Sequence, residues 1–128
     1  MSKIEQFLEG VSRVCGPGLL RRGFQHVPRV DKNTSLSLSV RFESGDDWVV
    51  ILWDPREEDV EVRVGPVLGR RWGDSLGVPV TELLREQNCD VDKVLARAAK
   101  GLDAEIDAYA ELIEMYLESL APHREKMT

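Results

Sequence analysis

The chain predicts an α+β domain: a four-stranded antiparallel meander with N- and C-terminal helices packed on one face. Three observations carry that expectation. Leu36, Leu38, Val40 and Phe42 alternate with Ser35, Ser37, Ser39, Arg41 and Glu43. Val60, Val62 and Val64 alternate with Glu61 and Arg63. Apolar residues recur at steps of three and four at both ends of the chain. Period two gives a strand one dry and one wet face, and the longer period gives a helix one apolar stripe.

The first helix starts at Ser2, whose side chain forms a capping box with Glu5. Ile4, Phe7, Leu8, Val11, Val14 and Cys15 follow on one stripe. Gly16-Pro17-Gly18 reads as its stop, with one more turn through Arg22 closed by Gly23. A first strand over 24–30 contains Pro28, which places it at an edge. Asp31–Asn33 is a turn before the second strand, and Ser44-Gly45-Asp46-Asp47 is a tight hairpin.

The third strand, 48–53, breaks the alternation. Trp48, Val50 and Leu52 fall on one side and Val49, Ile51 and Trp53 on the other. One side must enter the core. The other leaves an apolar stripe on a polar sheet face, which needs a cover or a partner. An acidic connection over 54–59 leads to the fourth strand, interrupted by Gly65-Pro66.

Residues 69–79 read as a glycine-rich loop, and Thr81 as the cap of a short helix through Glu86. Asp90 caps a last helix through Leu120, ended by Pro122 and followed by a frayed tail. The domain therefore spans 1–121, with a tail at 122–128. The last helix would be roughly 45 Å long at 1.5 Å per residue. A seven-residue strand covers about 23 Å. Either the helix breaks near Gly101, or its far half packs on something other than the sheet. The core expected from these patterns is Phe7, Leu8, Val11, Leu38, Val40, Phe42, Val62, Leu95, Leu102 and Ile106, with one face of the third strand.

The chain has 128 residues, which suits one domain, and its 17 basic and 23 acidic residues leave a net charge of −6. An acidic chain repels phosphate backbones and anionic lipid, which disfavours nucleic acid and membrane as partners and favours a basic protein surface. No apolar run approaches a membrane span and no signal peptide pattern opens the chain, so a soluble cytoplasmic protein is expected. Cys15 and Cys89 stand apart and read as reduced thiols.

Catalytic and metal motifs are absent from the pattern. His26 and His123 are the two histidines, and neither accompanies a nucleophile motif. CxxC and HxxxH spacings do not occur, and Asp54, Glu57, Glu58 and Asp59 lack the calcium-loop spacing. No cofactor or metal is therefore expected. Gly65–Gly73 follows a strand but lacks both GxGxxG and GK[ST]. It does hold Arg70, Arg71 and Trp72, a compact basic–aromatic cluster able to grip an anionic or planar group.

The reading that follows is a non-enzymatic protein-binding module acting by occlusion. Trp48, Trp53, Val49, Ile51, Arg70, Arg71 and Trp72 are its candidate contact residues. Its occupant is a protein partner or a second copy of the chain in a homodimer. The alternative is a small ligand-binding domain or enzyme using Gly65–Gly73 with Arg70 and Arg71.

The order of elements carries a resemblance. The N-terminal helix, Gly23-Phe24, the strand Val40-Arg-Phe-Glu-Ser44, the apolar strand ending Trp53-Asp54-Pro55, the Val-Glu-Val-Arg-Val strand and the C-terminal helix occur in sequence. Together they resemble small bacterial proteins of helix–meander–helix form, some of them immunity proteins of toxin systems. The resemblance implies the fold and, for the immunity-like members, a partner toxin. It brings no catalytic positions. The small acidic character is also similar to type III secretion chaperones, although no strand pair separates the last helices here.

Overall fold

A computed structural model describes residues 2–27, 38–45, 47–54, 59–65 and 77–127, with the side chains at 99, 100 and 120–127 set aside. Helical backbone opens the chain, as α1 (Lys3–Gly10), a π-type turn (Val11–Cys15) and α2 (Gly16–Arg21). Strands β1 (Gln25–Val27), β2 (Leu38–Ser44), β3 (Asp47–Asp54), β4 (Asp59–Gly65) and β5 (Val78–Pro79) follow. Helices α3 (Val80–Glu86), α4 (Val91–Leu95), a 3₁₀ turn (Ala96–Lys100) and α5 (Leu102–Met127) complete it.

All strand pairs are antiparallel and neighbours in sequence, in the order β1-β2-β3-β4-β5. The sheet thus has five strands where four were expected. The fifth, Val78–Pro79, is two residues long and sits inside the stretch read as loop. A two-residue strand is too short to show alternation. β1 lies at an edge, as its proline predicted, although Pro28 itself is outside the described residues.

Ser2 caps α1, its hydroxyl accepting from the Glu5 amide at 3.2 Å. The helix does not stop at Gly16-Pro17-Gly18. The Gly16 N–H bonds back to Val11, five residues away, and the backbone stays helical into α2. Proline in a helix removes a donor and crowds the preceding turn, and the wider π turn accommodates both. The nearby glycines answer a packing demand. A Cβ on Gly10 would lie 2.7 Å from Ile106 Cδ1, and one on Gly18 would run into the Glu114 carboxylate. The N-terminal helix therefore packs closely on α5 at these two positions, where an added Cβ would have to displace a side-chain end.

The long C-terminal helix breaks at Gly101, whose φ of +121° ends the 3₁₀ turn. The break shortens the helix, but α5 still runs 26 residues, roughly 39 Å at 1.5 Å per residue, and so outreaches the strands. Asp90 caps α4 through the Lys93 amide at 3.1 Å, as its position suggested. Thr81 is not a cap. It lies inside α3, whose first residue is Val80 after Pro79. Pro122 does not end α5, which continues to Met127.

The core joins the inner sheet face to helices from both ends of the chain. Val40 and Phe42 of β2, Val49, Ile51 and Trp53 of β3, and Val60, Val62 and Val64 of β4 are buried with Phe7, Val11, Leu83, Leu84 and Ile106. Trp53 stacks on Phe7 with ring centroids 5.7 Å apart. The far half of α5 also packs within the chain: Leu112, Ile113, Tyr116 and Leu117 are buried. Its apolar side is thus occupied by the chain itself. Leu8, expected in the core, is 43 % exposed. Leu38, Leu95 and Leu102 pack at the core margin.

Candidate functional site

The hairpin after β2 sets which side of β3 faces in. Ser44 pairs with Asp47, with Gly45 at φ +56° in the turn, so Phe42 stands opposite Val49 and Val40 opposite Ile51. Cross-strand partners share a face. The apolar face of β2 therefore draws Val49, Ile51 and Trp53 inward, where they are at most 2 % exposed. A partner cannot reach these three, although the strand pattern had put them among the contact residues. Trp48, Val50 and Leu52 fall on the outer face. They are half-buried and take no part in the core cluster.

The outer face is an apolar stripe between two charged rails. Arg41 on β2 and Arg63 on β4 both stand opposite Val50, while Glu43 stands opposite Trp48 and Glu61 opposite Leu52. Each arginine pairs with the glutamate of its own strand. Arg41 Nε donates to Glu43 Oε1 at 2.6 Å, and Arg63 Nε lies 3.2 Å from Glu61 Oε1. The centre of the face is thus charge-balanced.

Trp48 is held on two counts. The Arg41 guanidinium lies 4.8 Å from its ring centroid, a cation–π contact. The indole edge rests against Gly65, where a Cβ would be 3.0 Å away, and against Gly77, where a Cβ would overlap it. Gly77 has φ +70°, so both the backbone and the indole exclude a side chain there. Arg63 Nη1 donates to the Gly77 carbonyl at 3.3 Å and ties the same corner. The stripe is therefore built on rigid strands with its largest member fixed in place.

At its Leu52 end the stripe meets an open cavity of about 510 Å³, between β3, β4, α3 and α5. Asp54 and Asp59, directly paired across β3 and β4, stand at its mouth with Glu61, Glu82, Arg85 and Tyr109. Glu105 of α5 reaches the same place, its Oε1 accepting from the Val60 N–H at 2.6 Å. Burial and the neighbouring Asp59 push the Glu105 carboxyl up, against the opposing pull of that N–H. Burial, with Glu105, Asp59 and Glu61 around it, pushes the Tyr109 hydroxyl up to about 12, and Arg85 counteracts them in part. Tyr109 stays a neutral hydroxyl across the physiological range.

Arg70, Arg71 and Trp72 lie outside the described residues, as does most of Gly65–Gly73. His26 is exposed on β1, its ring 5.5 Å from Phe42. Among the described residues, no group of three His, Cys, Asp or Glu side chains is arranged to hold a metal ion, and no helix is long and apolar enough to cross a membrane.

The strand pattern missed Val50 and Leu52 as contact candidates, although the two-residue hairpin already fixes the register that selects them. Glu82 and Glu105 had no local signal, because 23 acidic residues give every segment some carboxylate. No family model matches the chain, and no curated protein or solved structure matches it either.

Proposed function

We propose that this chain is a non-enzymatic protein-binding module that docks its partner on the outer face of the sheet and acts by occlusion. The observation that carries the reading is the half-buried stripe Trp48–Val50–Leu52, on the side of β3 away from the core. Tryptophan is enriched among interface hot spots, which sit among neighbours that exclude water. The paired arginines and glutamates beside it supply a polar rim without a large net charge.

The partner offers an apolar anchor to the stripe and basic groups to the acidic end at Asp54, Asp59, Glu61 and Glu82. The chain's net charge of −6 steers such a surface inward and speeds association. A second copy is the poorer occupant, because it brings the same acidic end and the same net charge. An immunity-like role, in which the face blocks a basic toxin, is one concrete form of the proposal.

The test is retention of a partner by the tagged chain in an extract of its own cells. Leu52→Glu and Val50→Lys place a charge on the stripe without touching the core. Both variants are expected to lose the partner while far-UV circular dichroism and melting temperature stay close to wild type. Retention by both variants at wild-type yield overturns the proposal. Loss together with a doubled mass of the wild type in light scattering would assign the face to self-association instead.

A further inference from the structure

α4, the 3₁₀ turn and α5 form one helical run interrupted at a single residue. Gly101 sits at φ +121° and ψ −177°, a region essentially closed to any L-residue but glycine. A Cβ there would meet nothing within 4 Å, so the backbone alone excludes a side chain. Helical hydrogen bonding reaches the break from both sides. The Gly101 N–H donates to the Ala98 carbonyl at 3.5 Å, and the Glu105 N–H donates to the Gly101 carbonyl at 2.9 Å. The flanks, Ala96-Arg97-Ala98-Ala99-Lys100 and Leu102-Asp103-Ala104-Glu105, are mostly strong helix formers. Local preference therefore favours a straight helix through position 101, and packing imposes the bend. A five-residue 3₁₀ turn is long for its kind, as expected beside a hinge.

We propose that Gly101 is a hinge whose bent state keeps the chain monomeric, and that straightening it exchanges α5 between two copies of this chain. The proposal stands on a different surface from the sheet-face reading, so either can hold without the other. A straight helix over 91–127 would be roughly 55 Å long at 1.5 Å per residue and would carry α5 away from its own sheet. α5 brings Ile106, Ala108, Leu112, Ile113, Tyr116 and Leu117 to the core. Only a second copy offers these side chains the groove they fit, with Gly10 beneath Ile106 and Gly18 beside Glu114. Exchange of an identical element across a short, strained hinge is a low-cost route to a dimer. Arg97 pairs with Glu111 at 2.6 Å across the crook of the bend, beside a cavity of about 230 Å³ lined by Ala104 and Ala108. On a straight helix the two would stand roughly 21 Å apart along the axis, so within one chain the pair belongs to the bent form. The net charge of −6 on each copy opposes the exchange, and salt relieves that repulsion.

The experiment replaces Gly101 by alanine of either hand in the full chain. Residues 89–128 are made by chemical synthesis and joined to residues 1–88 at Cys89, once with L-alanine and once with D-alanine at position 101. For a D-residue the bent conformation is ordinary extended backbone, whereas for the L-residue it is disfavoured by about tenfold or more. Each dimer straightens two hinges, so the association constant of the L form should exceed that of the wild type by at least about a hundredfold. Refolding at about 0.5 mM chain and about 0.5 M salt should give a dimer for the L form, and monomers for the D form and the wild type, by light scattering. In a dimer refolded from isotope-labelled and unlabelled copies, the Ile106 methyl of one copy should show a nuclear Overhauser contact to Gly10 of the other. Adding Leu52→Glu should leave that dimer intact, which separates it from association through the sheet face. A monomeric L form, equal masses for the L form and either the D form or the wild type, or an L form that does not fold while the D form does, would each overturn the proposal. A dimer lacking the cross-chain contact, or one abolished by Leu52→Glu, would overturn it as well.

Discussion

Replacing the two described tryptophans of β3 in turn measures the two faces of the sheet against each other. They lie five residues apart on one strand, and the fold sends them in opposite directions. Trp53 is 2 % exposed and stacked on Phe7. An indole buries about 200 Å², which at about 25 cal/mol per Å² gives about 5 kcal/mol. Measured large-to-small core substitutions of this kind cost about 3–5 kcal/mol. Trp53→Ala should therefore remove a third or more of the stability of a domain worth about 5–15 kcal/mol. Trp48 is half-buried on the outer face. Half the area gives about 2.5 kcal/mol, and one cation–π contact of about 0.5–1 kcal/mol brings Trp48→Ala to about 3 kcal/mol. With a urea slope of about 2 kcal/mol per molar, the midpoint should fall by about 2.5 M for Trp53→Ala and by about 1.5 M for Trp48→Ala. Circular dichroism at the helix band is the right readout, because either substitution removes an intrinsic fluorophore. Equal losses, or the larger loss at Trp48, would mean that the stripe is sealed core and would refute the assignment of the two faces.

Three further outcomes follow from the packing and the titrating groups. Gly10→Ala should cost about 1–3 kcal/mol through the Ile106 Cδ1 it meets. Ile106→Val, which deletes that methyl, should recover part of the loss in a double-mutant cycle, and strict additivity would show that the two positions do not touch. The Glu105 carboxyl is held above its ordinary value near 4.5 in the folded chain. A raised folded value makes its contribution fully present below 4.5 and progressively lost as pH rises through the folded value. The stability difference between wild type and Glu105→Gln should therefore shift against the wild type on going from acid to neutral pH in urea titrations, and a pH-independent difference would contradict the shift. Burial pushes the Cys15 thiol up to about 12, while Cys89 is half-exposed. One thiol per chain should react quickly with Ellman's reagent under native conditions and both in denaturant, whereas two fast native thiols would show that α1 opens readily.

Much of the fold is legible in the chain because alternation and turns are local properties. β2, β3 and β4 follow from their patterns, and the Ser44–Asp47 hairpin fixes their register. The length mismatch leaves two readings, a break near Gly101 or a far half packed on something other than the sheet; the chain does break at Gly101, and a 26-residue helix still follows. What escapes is decided at a distance. Gly16-Pro17-Gly18 reads as a stop, yet the backbone stays helical through it, with Gly18 packed against Glu114 of α5. β5 is too short to carry a pattern and exists because Gly77 can turn beneath Trp48. Leu8 continues the apolar stripe of α1, but the helix buries Phe7, Val11 and Cys15 and leaves Leu8 outside. The site shows the same division. An apolar stripe was readable from β3 by itself, and its identity as Trp48, Val50 and Leu52 needed the pairing with Phe42 and Val40. The carboxylates around Val60 come from β4, α3 and α5, and only tertiary structure assembles them.

Site-specific photo-crosslinking asks whether the outer sheet face is where a partner docks. A benzophenone side chain is placed at position 50, in the middle of the stripe, and in a second variant at position 12, an exposed site on the helical side. Illumination in the native extract should join the chain to a different, basic protein from position 50 and not from position 12. An adduct at both positions in equal yield, or none at position 50 while the chain remains folded, would contradict a docking role for the outer sheet face.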